Sequence, residues 1–195
     1  TTILISKECG NKMFSKMGQY EPCGIFTTGH FILIAITVIC IAIALKYSVR
    51  KSKEEVYKII RNATIVICIL EAIKIIYSIQ QNSWKAVDTY LPLYYCSILI
   101  YAGLLSSFGK GKLKRAGDVC LATGSIIGGI VFIIYPSTSL PRYPAFHILS
   151  IYSFLFHGTM MYLGILINKT NYIDLKISDV KYFAAVIGAM SIVAL

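Results

Sequence analysis

Apolar residues along this chain gather in long runs, separated by short segments that hold most of the charge. Five runs are long enough to cross a bilayer, which takes about 20 helical residues at 1.5 Å of rise each. They cover residues 26–46, 59–79, 90–108, 116–135 and 146–168, and a sixth begins at Lys181 and is still apolar at Leu195. They do not alternate as the strands of a barrel would, so their length predicts helices. The expected fold is all-α: a polytopic membrane helix bundle of six spans, the last incomplete. A tail over residues 1–24 precedes a single transmembrane helical domain over 25–195. That tail is mostly polar and lacks the apolar stretch of a cleavable signal peptide. Thr1 in place of an initiator Met, and the apolar ending, point to a longer polypeptide.

Composition agrees. Hydrophobic residues make up 56% and charged ones 14%, where a soluble domain carries roughly 25% charge; the mean hydropathy is +0.69. A net charge of +10 raises the question of nucleic acid, but the basic residues sit between apolar runs and no nucleic-acid motif accompanies them. Lys46, Arg50, Lys51, Lys53, Lys58 and Arg61 follow the first run; Lys110, Lys112, Lys114 and Arg115 follow the third; Lys169 and Lys176 follow the fifth. The opposite connections carry only Lys85 and Arg142, so the bias puts the N-terminus outside and the three basic connections inside. Pro92 would sit in the first turn of the third span, capped by Asp88 or Thr89. Pro136, Pro141 and Pro144 keep the connection before the fifth span out of regular helix. Gly124 and Gly128 form a small-xxx-small pair for close helix packing. Two sequons, at Asn62 and Asn168, fall on the inner side and read as accidental.

Polar groups inside a span are costly and face the bundle interior. His30, Glu71, Lys74, Cys96 and His157 occupy four spans, and His147 lies near the outer start of the fifth. Counted from the inner charges at 1.5 Å per residue, their heights run from about 15 to about 24 Å. Three polar stripes emerge at helical spacing: Thr64, Glu71, Lys74 and Ser78; Cys96, Gly103 and Ser107; Ser150, Ser153, His157 and Gly164. Facing one another, they would enclose a polar pocket at the level of Cys96. Each piece also has a plain structural explanation. Glu71 and Lys74 form an i,i+3 pair that neutralises itself, a histidine in a span often bonds to a neighbouring helix, and Cys40, Cys68 and Cys120 read as small hydrophobes. Cys9 and Cys23 lie together in the tail, where a disulfide is open.

If chemistry occurs, a thiol is the natural nucleophile and an imidazole its base, because burial disfavours the thiolate. Counting from the outer prolines pairs Cys96 with His147. Counting from the inner charges pairs it with His157, about 3 Å of rise away, and the charges are the better membrane markers. No carboxylate is spaced with the histidines as a metal-ligand motif, so neither metal nor cofactor is expected.

The segment Leu91-Pro92-Leu93-Tyr94-Tyr95-Cys96-Ser97 resembles the LPL-x-x-C opening of the third span in YwaF-like bacterial integral membrane proteins. Phe154-Leu155-Phe156-His157-Gly158 resembles their later F-x-x-HG element, and His30 and Glu71 fit the same pattern. The chain departs from it where Tyr94 and Tyr95 stand in place of a histidine. The family is similar to a eukaryotic ether-lipid acyltransferase and, more distantly, to androgen-induced fatty-acid-ester hydrolases. The resemblance implies Cys96 as nucleophile and His157 as base in an acyltransferase or lipid hydrolase of the plasma membrane. An acyl thioester would form on a phospholipid's acyl group. His30, Glu71, Lys74, Tyr94, Tyr95, His147 and Ser153 would then surround the substrate. Two other readings stand beside it: a small-solute transporter or binding subunit whose ligand meets Glu71 and Lys74, and a scaffold whose polar residues only join helices.

Overall fold

The computed structural model describes residues 12–82 and 94–194. Among them the chain forms α1 (Thr28–Ser48), α2 (Lys53–Asn82), a 3-10 turn (Tyr95–Ser97), α3 (Ile98–Phe108), α4 (Lys112–Ala122), α5 (Gly124–Ile134), α6 (Ile148–Lys169), a second 3-10 turn (Ile177–Asp179) and α7 (Val180–Ala194). No described residue is in a strand. The all-helical bundle expected from hydropathy is the fold observed.

Three boundaries differ from the hydropathy reading, each for a local reason. The second helix begins six residues before the expected 59, inside the basic connection. There Ser52 and Glu55 cap it reciprocally, with the Ser52 N–H donating to Glu55 Oε2 at 2.9 Å. Lys51–Glu55 and Lys58–Glu54 pairs at 3.0 and 2.8 Å support its first turns. The third span is regular helix only from Ile98, after the turn that holds Cys96. Its expected start at Tyr90, the placing of Pro92 in its first turn and the Asp88 or Thr89 cap lie outside the described residues, as do Lys85 and Cys9. The fourth run is two helices, not one over 116–135. Thr123 leaves the helical region (φ −120°, ψ −69°) and its hydroxyl turns back to the Val119 carbonyl at 2.7 Å. Asn168 of α6 mends the break by donating its amide to the Ala122 carbonyl at 2.7 Å. Its side chain is therefore a structural stitch.

The basic connections converge at one end. Lys114 Nζ bonds to Asp118 and to the Tyr172 hydroxyl, both at 2.9 Å. It also lies over the rings of Tyr57 and Tyr172, 5.4 and 5.1 Å from their centroids. Arg115 pairs with Asp179 and fastens the turn that opens α7. At the other end, the Cys23 and Gly24 N–H groups donate to the carbonyls of Tyr143 and Leu140 at 3.0 and 2.9 Å, tying the tail to the proline-bearing connection.

Inside, Val56, Ile60, Leu99, Leu163, Leu166 and Ile167 form an apolar core, threaded by buried Thr64, Ser106, Ser107 and Asp118. Outside, Phe31, Ile39, Ile43, Val131 and Ile134 are each more than half exposed. So broad an apolar exterior, around an interior that holds the polar groups, requires hydrocarbon as its solvent. Three described stretches are long and apolar enough to cross a membrane: Thr28–Ser48, Lys112–Ile134 across the Thr123 break, and Ile148–Lys169. α2 is longer than any of them at 30 residues but carries Glu71 and Lys74 midway.

Close approach of α3 and α4 depends on Gly117, where an added Cβ would meet the Ser106 amide nitrogen and the Ala102 carbonyl oxygen. Both are backbone and have no rotamer to yield. Gly117→Ala is expected to destabilise the fold by about 1–3 kcal/mol, whereas Gly188→Ala, with open space around it, should be neutral or stabilising; thermal unfolding in detergent compares the two. Hydrogen bonding to Arg115, and then to the Lys176 amide, holds the Asp179 carboxyl below its ordinary value of 3.8. A depressed acid contributes stability in full above 3.8 and loses it as pH falls through the folded-state value. Amide exchange across 176–182 is therefore expected to accelerate below that pH, and Asp179→Asn should show the acceleration already at neutral pH.

Candidate functional site

Two of the three polar stripes do meet, along the seam between α2 and α3. A Cβ on Gly103 would lie 2.5 Å from Thr64 Oγ1, and the Ser107 hydroxyl donates to that same oxygen at 3.5 Å. Seven residues from Thr64 stands Glu71, and seven before Gly103 stands Cys96. The Glu71 carboxylate is buried at 7% exposure and fully engaged: Oε1 accepts from Lys74 Nζ at 2.6 Å, and Oε2 accepts from the Tyr152 hydroxyl of α6. The Lys74 ammonium also lies over the Tyr152 ring, 5.8 Å from its centroid. Cys96, half-buried in the 3-10 turn, is within Coulombic reach of both Lys74 and Glu71 and of Tyr152. The 3-10 turn places Cys96 just before the N-terminal, positive end of α3, with the Ser97 N–H donating to the Tyr94 carbonyl at 2.9 Å.

The third stripe turns elsewhere. Gly164 packs on the Leu121 carbonyl at 2.9 Å for an added Cβ, and on Ile126. The His157 ring stacks on Phe132 of α5, with centroids 3.6 Å apart and planes 6° apart. Ser153 spends its hydroxyl on its own helix, at the Leu149 carbonyl 2.8 Å away. The stripe therefore faces α4 and α5, and the single pocket expected from three facing stripes is not formed. α6 reaches the α2–α3 seam through Tyr152 instead, five residues before His157 and about 140° round the helix. No hydrogen bond joins Cys96 to His157.

The three histidines differ in what they leave free. His30 is fully buried; its Nδ1 accepts from the Phe26 N–H at 3.1 Å and its Nε2–H donates to the Ile133 carbonyl at 2.9 Å. His147 caps α6 by accepting from the Leu149 N–H at 3.2 Å and donates from Nε2 to the Ser15 carbonyl at 3.0 Å, stacked on Tyr143. Both rings are committed at both nitrogens, and both serve as cross-links. His157 donates from Nδ1 to the Ser153 carbonyl at 2.7 Å. That bond fixes the tautomer and leaves the Nε2 lone pair without a partner among the described residues. Of the two histidines that counting leaves open, only His157 keeps a basic nitrogen available.

Tyr95 packs over Gly124 and Gly128, its hydroxyl 3.5 Å from the Gly124 carbonyl, and so belongs to the α5 contact. Tyr94 is 54% exposed. Cys23 is a free thiol 3.0 Å from the Thr27 hydroxyl. Among the described residues no three His, Cys, Asp or Glu side chains converge as a metal-ligand set. An apolar groove of about 290 Å³ runs between α1 and α6, lined by Leu33, Ile36, Cys40, Phe154, Leu155 and Gly158. Tyr152 is the site residue that the sequence conceals. Its neighbours Ser150 and Ser153 point to another face, and its only signal is a hydroxyl that falls outside the polar stripe of its helix.

The sequence profile of the TMEM164 family matches residues 25–195. No curated protein and no solved structure matches the chain.

Removing the His30 ring would leave the buried Ile133 carbonyl unpaired, at a cost of about 1–3 kcal/mol. His30→Ala is thus expected to lower the unfolding temperature in detergent, and a variant as stable as the parent would show that the ring is not a cross-link.

Proposed function

Because the chain belongs to the TMEM164 family, and because its interior gathers a thiol with a buried ion pair, we propose that it is an intramembrane thiol-dependent acyltransferase or hydrolase of membrane lipids. The observation that carries the proposal is the position of Cys96, at the positive end of α3 beside Glu71, Lys74 and Tyr152. The unpartnered Nε2 of His157 and the likeness of the Cys96 and His157 segments to those of YwaF-like proteins support it further. The apolar groove against α6 suits an acyl chain better than a polar solute.

In this reading the Cys96 sulfur attacks an ester carbonyl as His157 Nε2 takes the thiol proton. A sulfur–carbon bond forms, the ester carbon–oxygen bond breaks, and the proton passes to the leaving oxygen. A lysolipid hydroxyl or water then attacks the thioester, giving its proton to His157, and the thiol is restored. Hydrogen bonds of this kind are often long before substrate binds, so the separation of Cys96 from His157 in the free protein is compatible with the scheme. The plasma membrane, with the N-terminus outside, is the proposed location, from the Lys/Arg bias of the connections.

The test is acyl release from phospholipid vesicles containing the protein. Cys96→Ala is expected to abolish release and the covalent acyl adduct on residue 96, while His157→Ala should lower release by at least about a hundredfold, the smaller contribution typical of a positioned base. Full activity in Cys96→Ala would end the proposal.

A further inference from the structure

We infer that Lys74 is the positive partner of the Cys96 thiolate, with Glu71 and Tyr152 as the residues that position it. The inference deepens the acyl-transfer reading and rests on it for the fate of the thioester, but the pairing itself is a property of the resting thiol.

The argument begins with what Glu71 does. A carboxylate buried to this degree needs all its charge answered, and it receives one bond on each oxygen: Lys74 at 2.6 Å on Oε1 and the Tyr152 hydroxyl on Oε2. Those bonds fix the ammonium in space, because they join α2 to itself and to α6. An ammonium has three N–H donors, and Glu71 uses one. No other hydrogen bond from Lys74 is made to a described residue, and the side chain keeps 26% of its surface. A cation so placed has capacity left for a second anion.

Cys96 is the second group at this level. Thr64 and Gly103 touch at the α2–α3 seam, Glu71 stands seven residues after the one and Cys96 seven before the other, and Lys74 and Glu71 both act on the sulfur electrostatically. Among the described residues, the charged or titratable groups that act on the sulfur are few. Lys74 and Glu71 face it from α2. Tyr152 of α6 acts on it as well, and Cys68 of α2 acts on Tyr152; Tyr101 of α3 lies within the field of Glu71. Lys74 is the single cation in that set among the described residues: His30 and His147 have both nitrogens committed, and the ring of His157, stacked on Phe132, makes no hydrogen bond to Cys96 in the free protein. Burial works against any anion here, so the compensating charge has to come from Lys74, aided by the positive end of α3. During acyl transfer Lys74 neither gains nor loses a proton. The thiol proton goes to His157 and returns on the leaving oxygen, while the ammonium faces first the sulfur anion and then the tetrahedral oxygen anion.

The experiment uses the full chain in lipid nanodiscs and follows alkylation of Cys96 by N-ethylmaleimide across pH, read by mass spectrometry of the peptide containing residue 96. Lys74→Gln is expected to slow alkylation at neutral pH by at least about tenfold and to move the pH midpoint upward, as loss of an adjacent opposite charge does. Lys74→Arg, which keeps the charge, is expected to restore most of the rate. Tyr152→Phe, which frees one Glu71 oxygen, should fall between the parent and Lys74→Gln. A pH profile for folded Lys74→Gln that overlays the parent would overturn the pairing. So would a loss of rate that Lys74→Arg does not recover, since packing rather than charge would then be responsible. Acyl release from the same nanodiscs separates the two ideas. Lys74-dependent alkylation without any acyl release keeps the pairing and removes the enzyme reading, whereas acyl release with a Lys74-independent alkylation profile removes the pairing alone.

Discussion

Hydrocarbon offers no hydrogen bond, and that constraint organises this molecule. A polar side chain buried within the spans is costly unless another part of the chain answers it; among the described helical residues the hydroxyls of Tyr77, Ser125 and Ser150 lack a partner, but the buried charges do not. Glu71 illustrates the consequence: one oxygen is answered by its own helix through Lys74, the other by α6 through Tyr152. The same demand explains Thr64 and Ser107 at the α2–α3 seam, the Ser106–Asp118–Lys114 chain between α3 and α4, and the Asn168 amide on the open carbonyl of Ala122. Apolar packing makes the bundle compact, but these bonds decide which faces meet. Because each is made between particular residues, sliding one helix by a turn would break several at once.

Much of the architecture was legible in the sequence because lipid imposes a minimum length on apolar runs. The positions of α1 and α6, the start of α7 and the gathering of basic connections at one end all follow from that length and from charge placement. The break at Thr123 was not legible. Its cause is a single hydroxyl turning back on its own helix, inside a run long and apolar enough as a whole to read as one span. The early start of α2 was hidden for the opposite reason: a capping pair, Ser52 with Glu55, lies in a segment whose charges read as loop.

The candidate site shows the same division. Spacing on one helix placed Glu71 with Lys74 and Gly103 with Ser107, both of which meet Thr64, because residues at helical intervals share a side whatever the tertiary fold; Cys96 lies in the 3-10 turn before that helix. Spacing does not say toward which neighbour a side points. The Ser150–His157–Gly164 stripe faces α5 because Gly129 and Gly164 let those helices approach closely, and the ring of His157 then finds Phe132. Tyr152 reaches Glu71 from the face so released. It belongs to no polar stripe, and only the packing of α6 against α2 shows that it matters.

Lys114 gives the inner end a property of its own. Its ammonium is held at once by Asp118, by the Tyr172 hydroxyl and by the rings of Tyr57 and Tyr172, so a single cation bridges segments that are far apart along the chain. Those segments are the beginnings of α2 and α4 and the stretch just past α6. Continuity of the peptide is then not what keeps them together. Two fragments severed between residues 137 and 140, in the connection before α6, would still share that knot, Tyr57, Lys114 and Asp118 from one piece and Tyr172 from the other, and travel as one particle through purification.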